Sequence, residues 1–217
     1  MSAERAHLEV AAVYPGQGSR YVRFLKPIFD RVGGIVLSLA TLPVMLVVVP
    51  IIWAKMGFPA LFVQERVGRH GRVFRVYKLR TMQPDRRVYA ATFSGSDRRV
   101  NHKSPDDPRL TALGRFLRKW SIDELPQFWN VALGHMSLVG PRPELVSIVE
   151  TYEAWQHRRH VVKPGVTGLW QVSARGEEPM HERTDIDISY VERVSFLTDL
   201  GILIRTIPAA LGRRTGS

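Results

Sequence analysis

Apolar residues in this chain gather in one long block near the front and recur afterwards only in short periods. Residues 32–53, VGGIVLSLATLPVMLVVVPIIW, carry no charge, and about 20 such residues suffice to cross a bilayer core as a helix. A buried core helix is the alternative, disfavoured by the length of the run. Pro43 and Pro50 lie inside it; each removes a helix hydrogen bond and crowds the preceding turn, which predicts a bend. Carbonyls freed near Pro43 then need a polar partner such as Ser38 or Thr41. Arg20, Arg23, Lys26 and Arg31 precede the run, and Lys55, Arg66, Arg69 and Arg72 follow it, so both flanks read as cytoplasmic. A re-entrant helix that dips in and returns fits this pattern best, with a kinked spanning helix as the alternative. Residues 195–211 are also apolar but contain Asp199, Arg205 and Pro208, which argues for an interfacial or core-packing helix instead of a second crossing.

Beyond the long run, LFVQERVGRHGRVFRVYKLRTM reads as two strands around a turn at Gly68-Arg69-His70-Gly71, because β-branched and aromatic residues flank the glycines. On the second strand Phe74, Val76, Lys78 and Arg80 share one face, so alternation places two cations together. Residues 83–108 lack periodicity and read as a surface loop. Leu113, Phe116, Leu117 and Trp120 recur at helical spacing, predicting a helix from Thr111 to Trp120. Ser121 and Glu124 then form a capping-box pattern, and Pro126 suits the first turn of a new helix. Residues 1–19 read as a mobile tail, with 20–217 as a single domain.

The chain has 217 residues, 31 Lys+Arg against 20 Asp+Glu, and no cysteine. It therefore has no disulfides, thiolate metal site or cysteine nucleophile. The basic excess favours polyanionic partners: nucleic acid, anionic headgroups or phosphorylated substrates. A nucleic-acid module has no use for the apolar run, and recognition-helix and base-stacking patterns are lacking. The apolar run lacks a small-residue cleavage site and is read as retained.

Asp123-Glu124 is the candidate chemical pivot, although acidic residues at a helix start often serve the helix dipole alone. Downstream lie Met136-Ser137-Leu138-Val139-Gly140, Pro141-Arg142-Pro143, Lys163-Pro164-Gly165-Val166-Thr167-Gly168 and Gln171-Val172. Arg142, between two prolines, stands on stiff backbone suited to presenting a guanidinium fork to phosphate oxygens, or the segment is merely a rigid loop. His157 and His160 have metal-compatible spacing but lie among Arg158, Arg159 and Lys163, which favours a solvated or headgroup-facing helix.

With Phe62-Val63-Gln64-Glu65-Arg66-Val67-Gly68, Tyr77-Lys78-Leu79-Arg80-Thr81-Met82, Asp123-Glu124-Leu125-Pro126-Gln127 and Asp187-Ile188-Ser189-Tyr190-Val191, these segments resemble the bacterial sugar transferases, the monotopic phosphoglycosyl transferases. The resemblance runs in order over about nine-tenths of the chain. It implies a mixed α/β, helix-rich fold: a re-entrant membrane helix at 32–53, then a cytosolic catalytic part at 54–217 with a β-hairpin and amphipathic interfacial helices. It also implies transfer of a sugar-1-phosphate from a UDP-sugar to polyprenyl (undecaprenyl) phosphate with release of UMP, at the cytoplasmic face of the bacterial inner membrane. Asp123 would be the nucleophile and Glu124 a Mg²⁺ ligand. Lys78, Arg80, Arg142 and Arg175 would hold phosphate, and Asp187 and Asp199 are further acidic candidates, with an arginine partner for Asp187 and a helix-buttressing role for Asp199 as the structural alternatives. Membrane lipids are implied partners, nucleic acid is not, and a homodimer is left open. A membrane scaffold with an inactive catalytic part is the remaining rival. Leu42-Pro43 stands where the family often has Ser-Pro, and Ser173-Ala174-Arg175 where it usually has Asn-Gly-Arg, which loosens the expected helix break and the placement of Arg175.

Overall fold

A computed structural model describes residues 19–83, 109–173 and 180–210. The tail at 1–18, most of the expected loop, and Arg175 lie outside the described residues. After a short wide turn at Tyr21–Leu25, helix α1 runs without interruption over Lys26–Met56, through both Pro43 and Pro50. Thirty-one residues make a rod roughly 46 Å long. The Thr41 hydroxyl donates to the carbonyls of Leu37 and Ser38, one turn before Pro43. Neither is the Leu39 carbonyl that the missing proline N–H leaves open.

Only 17% of the most apolar stretch of this helix is buried. A core helix of a water-soluble domain would be mostly covered, so the exposed Leu39, Leu46 and Val47 mark a surface that needs an apolar solvent, and the chain is membrane-associated. The covered face is used at both ends. Lys26, Asp30 and Gly34 are buried near the front, and Met45 and Ile52 near the back. A Cβ on Gly34 would lie 2.6 Å from the Ala132 backbone nitrogen, so only glycine permits this approach.

The expected hairpin is present: β1 (Leu61–Val67) pairs antiparallel with β2 (Val73–Leu79), Leu61 opposite Leu79 and Val67 opposite Val73. His70, at φ 56, completes the tight turn. Helix α2 (Ala112–Lys119) is capped by Thr111, whose hydroxyl accepts from the Gly114 N–H. A three-residue turn at Ile122–Glu124 leads into helix α3 (Gln127–Ala132). Strand β3 (Ser137–Val139) pairs parallel with β5 (Gly165–Thr167), while β4 (Glu144–Leu145) adds to the free side of β1. Short helices α4 (Val146–Val149) and α5 (Leu169–Ser173), then α6 (Thr184–Arg193) and α7 (Phe196–Ala210), complete the described chain.

Two large apolar clusters hold most of these elements. One joins Val76, Val131, Leu138, Val139, Val191 and Ile202; the other joins Met45 and Ile52 of α1 with Ala60, Leu79 and Leu117. A small one joins Trp170, Met180 and Ile186. Helix α7 buries Asp199 and Ile202 and exposes Phe196, Leu197, Ile204 and Ile207. Its apolar outer face agrees with an interfacial helix.

Candidate active site

Asparagine 130 fixes the site before any charge acts. Its side chain accepts from the Tyr77 N–H at 3.2 Å and donates to the Arg75 carbonyl at 2.6 Å, tying α3 to the open edge of β2. The Ile122–Glu124 turn at the front of α3 is thereby carried to Lys78. The capping box does not form: Ser121 sits in the left-handed region at φ 54 and its side chain does not cap the turn. Asp123 and Glu124 lie within this three-residue turn instead of at a long helix's N-terminus, so neighbouring side chains, more than a helix dipole, set their electrostatics.

Glu124 is gripped by two cations. Arg142 Nη2 donates to its Oε1 at 2.6 Å and Lys78 Nζ to the same oxygen at 3.1 Å. Burial alone would raise the Glu124 carboxyl, but the Arg142 and Lys78 charges outweigh it and hold the group well below its ordinary value. Asp123 behaves oppositely. Burial and the adjacent Glu124 charge push it up to about 6, against the opposing pull of Lys78, Arg118 and Arg142. Two neighbouring carboxylates thus have separated proton affinities, a pattern typical of paired chemical roles.

The Pro-Arg-Pro segment is clamped along its whole backbone. Its three carbonyls accept in turn from Gly165 N at 2.8 Å, Arg159 Nη2 at 2.7 Å and Arg66 Nη1 at 3.2 Å. Any side chain on Gly165 would collide with the Gly140 backbone, which explains the glycines on both sides of this contact. Arg159 is itself fully buried, 2.6 Å from Asp187 Oδ2, with Nη1 donating to the Tyr152 hydroxyl at 2.7 Å. Burial raises the Asp187 carboxyl to about 6 while the Arg159 charge opposes the rise. Asp187 thus has the arginine partner noted as its structural alternative, and reaches the site through Arg159 and the Arg142 backbone.

Other candidates fall elsewhere. Asp199 Oδ2 accepts from Lys26 Nζ at 2.6 Å and from the Tyr21 hydroxyl at 2.6 Å, and its Oδ1 from the Tyr190 hydroxyl at 2.8 Å. It binds α7 to the front of α1, a buttress. Lys78 and Arg80, expected to project together, are spent on different partners: Lys78 meets Glu124, while Arg80, whose backbone N–H still donates to the Ala60 carbonyl beside Leu61, turns to α1. The Arg80 guanidinium donates to the carbonyls of Met56 and Gly57 at the C-terminus of α1. The expected solvated or headgroup-facing basic helix is also corrected: Ala154–Val161 is a short tight helix that buries Arg159 and His160, the latter stacked on Tyr152. Among the described residues no group of three or more His, Cys, Asp or Glu forms a metal site. Neither Arg66 nor Arg159 carries a site role in the sequence reading. Arg66 lay inside a quoted motif, and Arg159 was hidden in a basic run whose charge suggested solvent.

Comparison with known proteins identifies the family. The family model "bacterial sugar transferase" matches residues 21–213. An uncharacterized sugar transferase of Bacillus subtilis is 41% identical over 86% of this chain and 87% of its own length. The undecaprenyl-phosphate galactose phosphotransferase of Salmonella typhimurium is 39% identical over 91% of this chain and 42% of its own. The UDP-glucose:undecaprenyl-phosphate glucose-1-phosphate transferase of Klebsiella pneumoniae is 38% identical over 83% of this chain and 39% of its own, so the chain spans less than half of these two relatives. With a family match from the front of α1 to beyond α7, the chain is a transferase of the bacterial sugar transferase family.

Proposed function

We propose that this chain transfers a sugar-1-phosphate from a UDP-sugar to undecaprenyl or a similar polyprenyl phosphate through a phosphosugar carried on Asp123. The observation that carries the reading is the unequal carboxylate pair. Glu124 is locked as an anion between Lys78 and Arg142, and Asp123 stands beside it with a carboxyl raised to about 6. The name of the Klebsiella relative supports a UDP-sugar donor and an undecaprenyl-phosphate acceptor, and that of the Salmonella relative supports the same acceptor.

In this reading Lys78 and Arg142 release part of their hold on Glu124 to receive the diphosphate, and Arg142 is aimed by its clamped backbone. Asp123 attacks the β-phosphorus, the bond to the bridging oxygen breaks, and UMP leaves with that electron pair. A phosphate oxygen of the polyprenyl phosphate then attacks the same phosphorus and displaces the carboxylate. The product is a polyprenyl diphosphosugar, and Asp123 is restored. Arg175, outside the described residues, is assigned to phosphate holding by the family resemblance. Glu124 would offer Mg²⁺ a hard carboxylate oxygen, in competition with the Lys78 and Arg142 donors that meet its Oε1. When bound at Glu124 the ion would neutralise charge on the diphosphate.

Contacts of both ends of α1 with one body favour the re-entrant arrangement over a spanning helix, and the cations on both flanks of the apolar run assign that body to the cytoplasmic face of the inner membrane. Single cysteines at Ser19 and Ser217, introduced into a chain that has none, should both be labelled from the cytoplasmic side; opposite-side labelling defeats that topology. For the chemistry, incubation with radiolabelled UDP-sugars without acceptor should release UMP and leave label on Asp123. Substantial turnover by Asp123→Asn, or label on another side chain, defeats the nucleophile assignment.

A further inference from the structure

Cations collect where α1 enters its apolar run, away from the dyad. Gly134, at φ 85 just beyond α3, leaves a space bounded by charge: a Cβ built there would stand 3.0 Å from Arg31 Nη2 and 3.8 Å from Lys163 Nζ. Burial lowers the Lys163 ammonium; Asp30 opposes this, and the charges of Arg69, Arg31 and Lys26 add to the lowering. Asp30 is already committed, accepting from the Leu138 N–H at 2.9 Å and lying 3.9 Å from Lys26 Nζ. Crowded cations with so little internal counter-charge favour an external anion.

An apolar groove of about 500 Å³ begins beside them. It lies between α1, α3 and the hairpin, lined by Ile35, Leu39, Leu61, Tyr77, Trp129 and Leu133. Arg31 is one helical turn before Ile35 and so shares its face of α1. Its Nη1 donates at 2.7 Å to the carbonyl of Ala132, which also lines the groove. Cationic mouth and apolar trough are therefore continuous. The half-exposed Ile35 and Leu39 open the trough toward the surroundings of α1, where hydrocarbon chains are available.

The geometry points to a binding site for one anionic phospholipid of the surrounding bilayer, its phosphate held by Arg31 and Lys163 and an acyl chain laid in the groove against Trp129. The occupant needs both an anionic phosphate and a hydrocarbon tail, which the charge and the trough match together. The site lies at the far end of α3 from Asp123, so the bound lipid is a resident of the protein surface and takes no part in the reaction. The inference rests on the membrane reading of α1 and not on the transfer chemistry.

The test uses the full chain in a zwitterionic detergent, titrated with phosphatidylglycerol or phosphatidylcholine carrying brominated acyl chains that quench nearby tryptophan. Phosphatidylglycerol should quench a component absent from Trp129→Phe, at a mole fraction at least about tenfold lower than phosphatidylcholine. The pair Arg31→Gln with Lys163→Gln should remove that preference while leaving UMP release unchanged and the melting temperature within a few degrees. Native mass spectrometry should show one retained phosphatidylglycerol per chain, lost in the double variant. Equal quenching by the two lipids, no quenching by either, or a preference that survives the double variant overturns the site. Polyprenyl phosphate displacing phosphatidylglycerol at equimolar amounts overturns its assignment to a bilayer phospholipid, whereas failure of the Asp123 experiments leaves the lipid site standing.

Discussion

Two ionic clusters in this protein pair acidic and basic side chains to opposite ends. Around Asp199, one lysine, two carboxylates and two tyrosine hydroxyls meet behind α1, and Asp199 is 2% exposed. Around Glu124, a lysine and an arginine converge on one carboxylate oxygen, and all three side chains keep about a fifth of their surface exposed. The first cluster satisfies its charges internally and is closed to solvent, so it fastens helices. The second has surplus donors on Lys78 and Arg142 and an open side, so it can take an anionic ligand. Acidic and basic residues alone do not make a site; unspent hydrogen-bonding capacity at an accessible surface does.

The largest effect separating the clusters is expected from Glu124→Gln, which removes the anion that holds Lys78 and Arg142. UMP release should fall by about 10²–10³, with thermal unfolding little changed. A comparable loss of stability instead would make the Glu124 cluster another fastener. Asp199→Asn should do the reverse, leaving Lys26 buried without its full counter-charge at a cost of about 3–5 kcal/mol. Denaturation should detect that loss, while turnover per folded molecule stays near wild type; a selective loss of turnover would return Asp199 to the site.

A pH series sharpens the contrast further. Asp123 binds its proton more tightly in the fold, at about 6, than at the ordinary 3.8. Its contribution to stability is therefore greatest at acid pH and declines as pH rises from about 4 to 6. Attack by Asp123 needs the ionised form, so at constant Mg²⁺ activity should rise through pH 6, from about pH 5 to 7. Activity that is flat from pH 5 to 7 would count against an ionising Asp123. The smallest effect is expected from Arg80→Gln: a loss of about 1 kcal/mol at the end of α1, with KM for the donor unchanged. A marked rise in that KM would place Arg80 on substrate phosphate.

Local pattern made part of this legible. The hairpin followed from alternating β-branched residues around Gly68 and Gly71, and α2 from the spacing of Leu113, Phe116 and Leu117. Asp123 and Glu124 stood out through the company of ordered motifs. Ser121 was misread because its capping pattern depends on a backbone conformation that the left-handed turn denies it. Arg159 differs from its reading because a basic run carries no sign of the Asp187 that meets it from α6.

By itself the sequence determined the apolar rod, the hairpin, the helical periods and the acidic pair, since each depends on residues close together along the chain. Only the tertiary structure decided which cation each carboxylate met. Lys78 was brought to Glu124, Arg80 to the end of α1, Arg159 to Asp187 and Lys26 to Asp199, because long side chains with similar charges are sorted by packing and desolvation, which residue order does not encode.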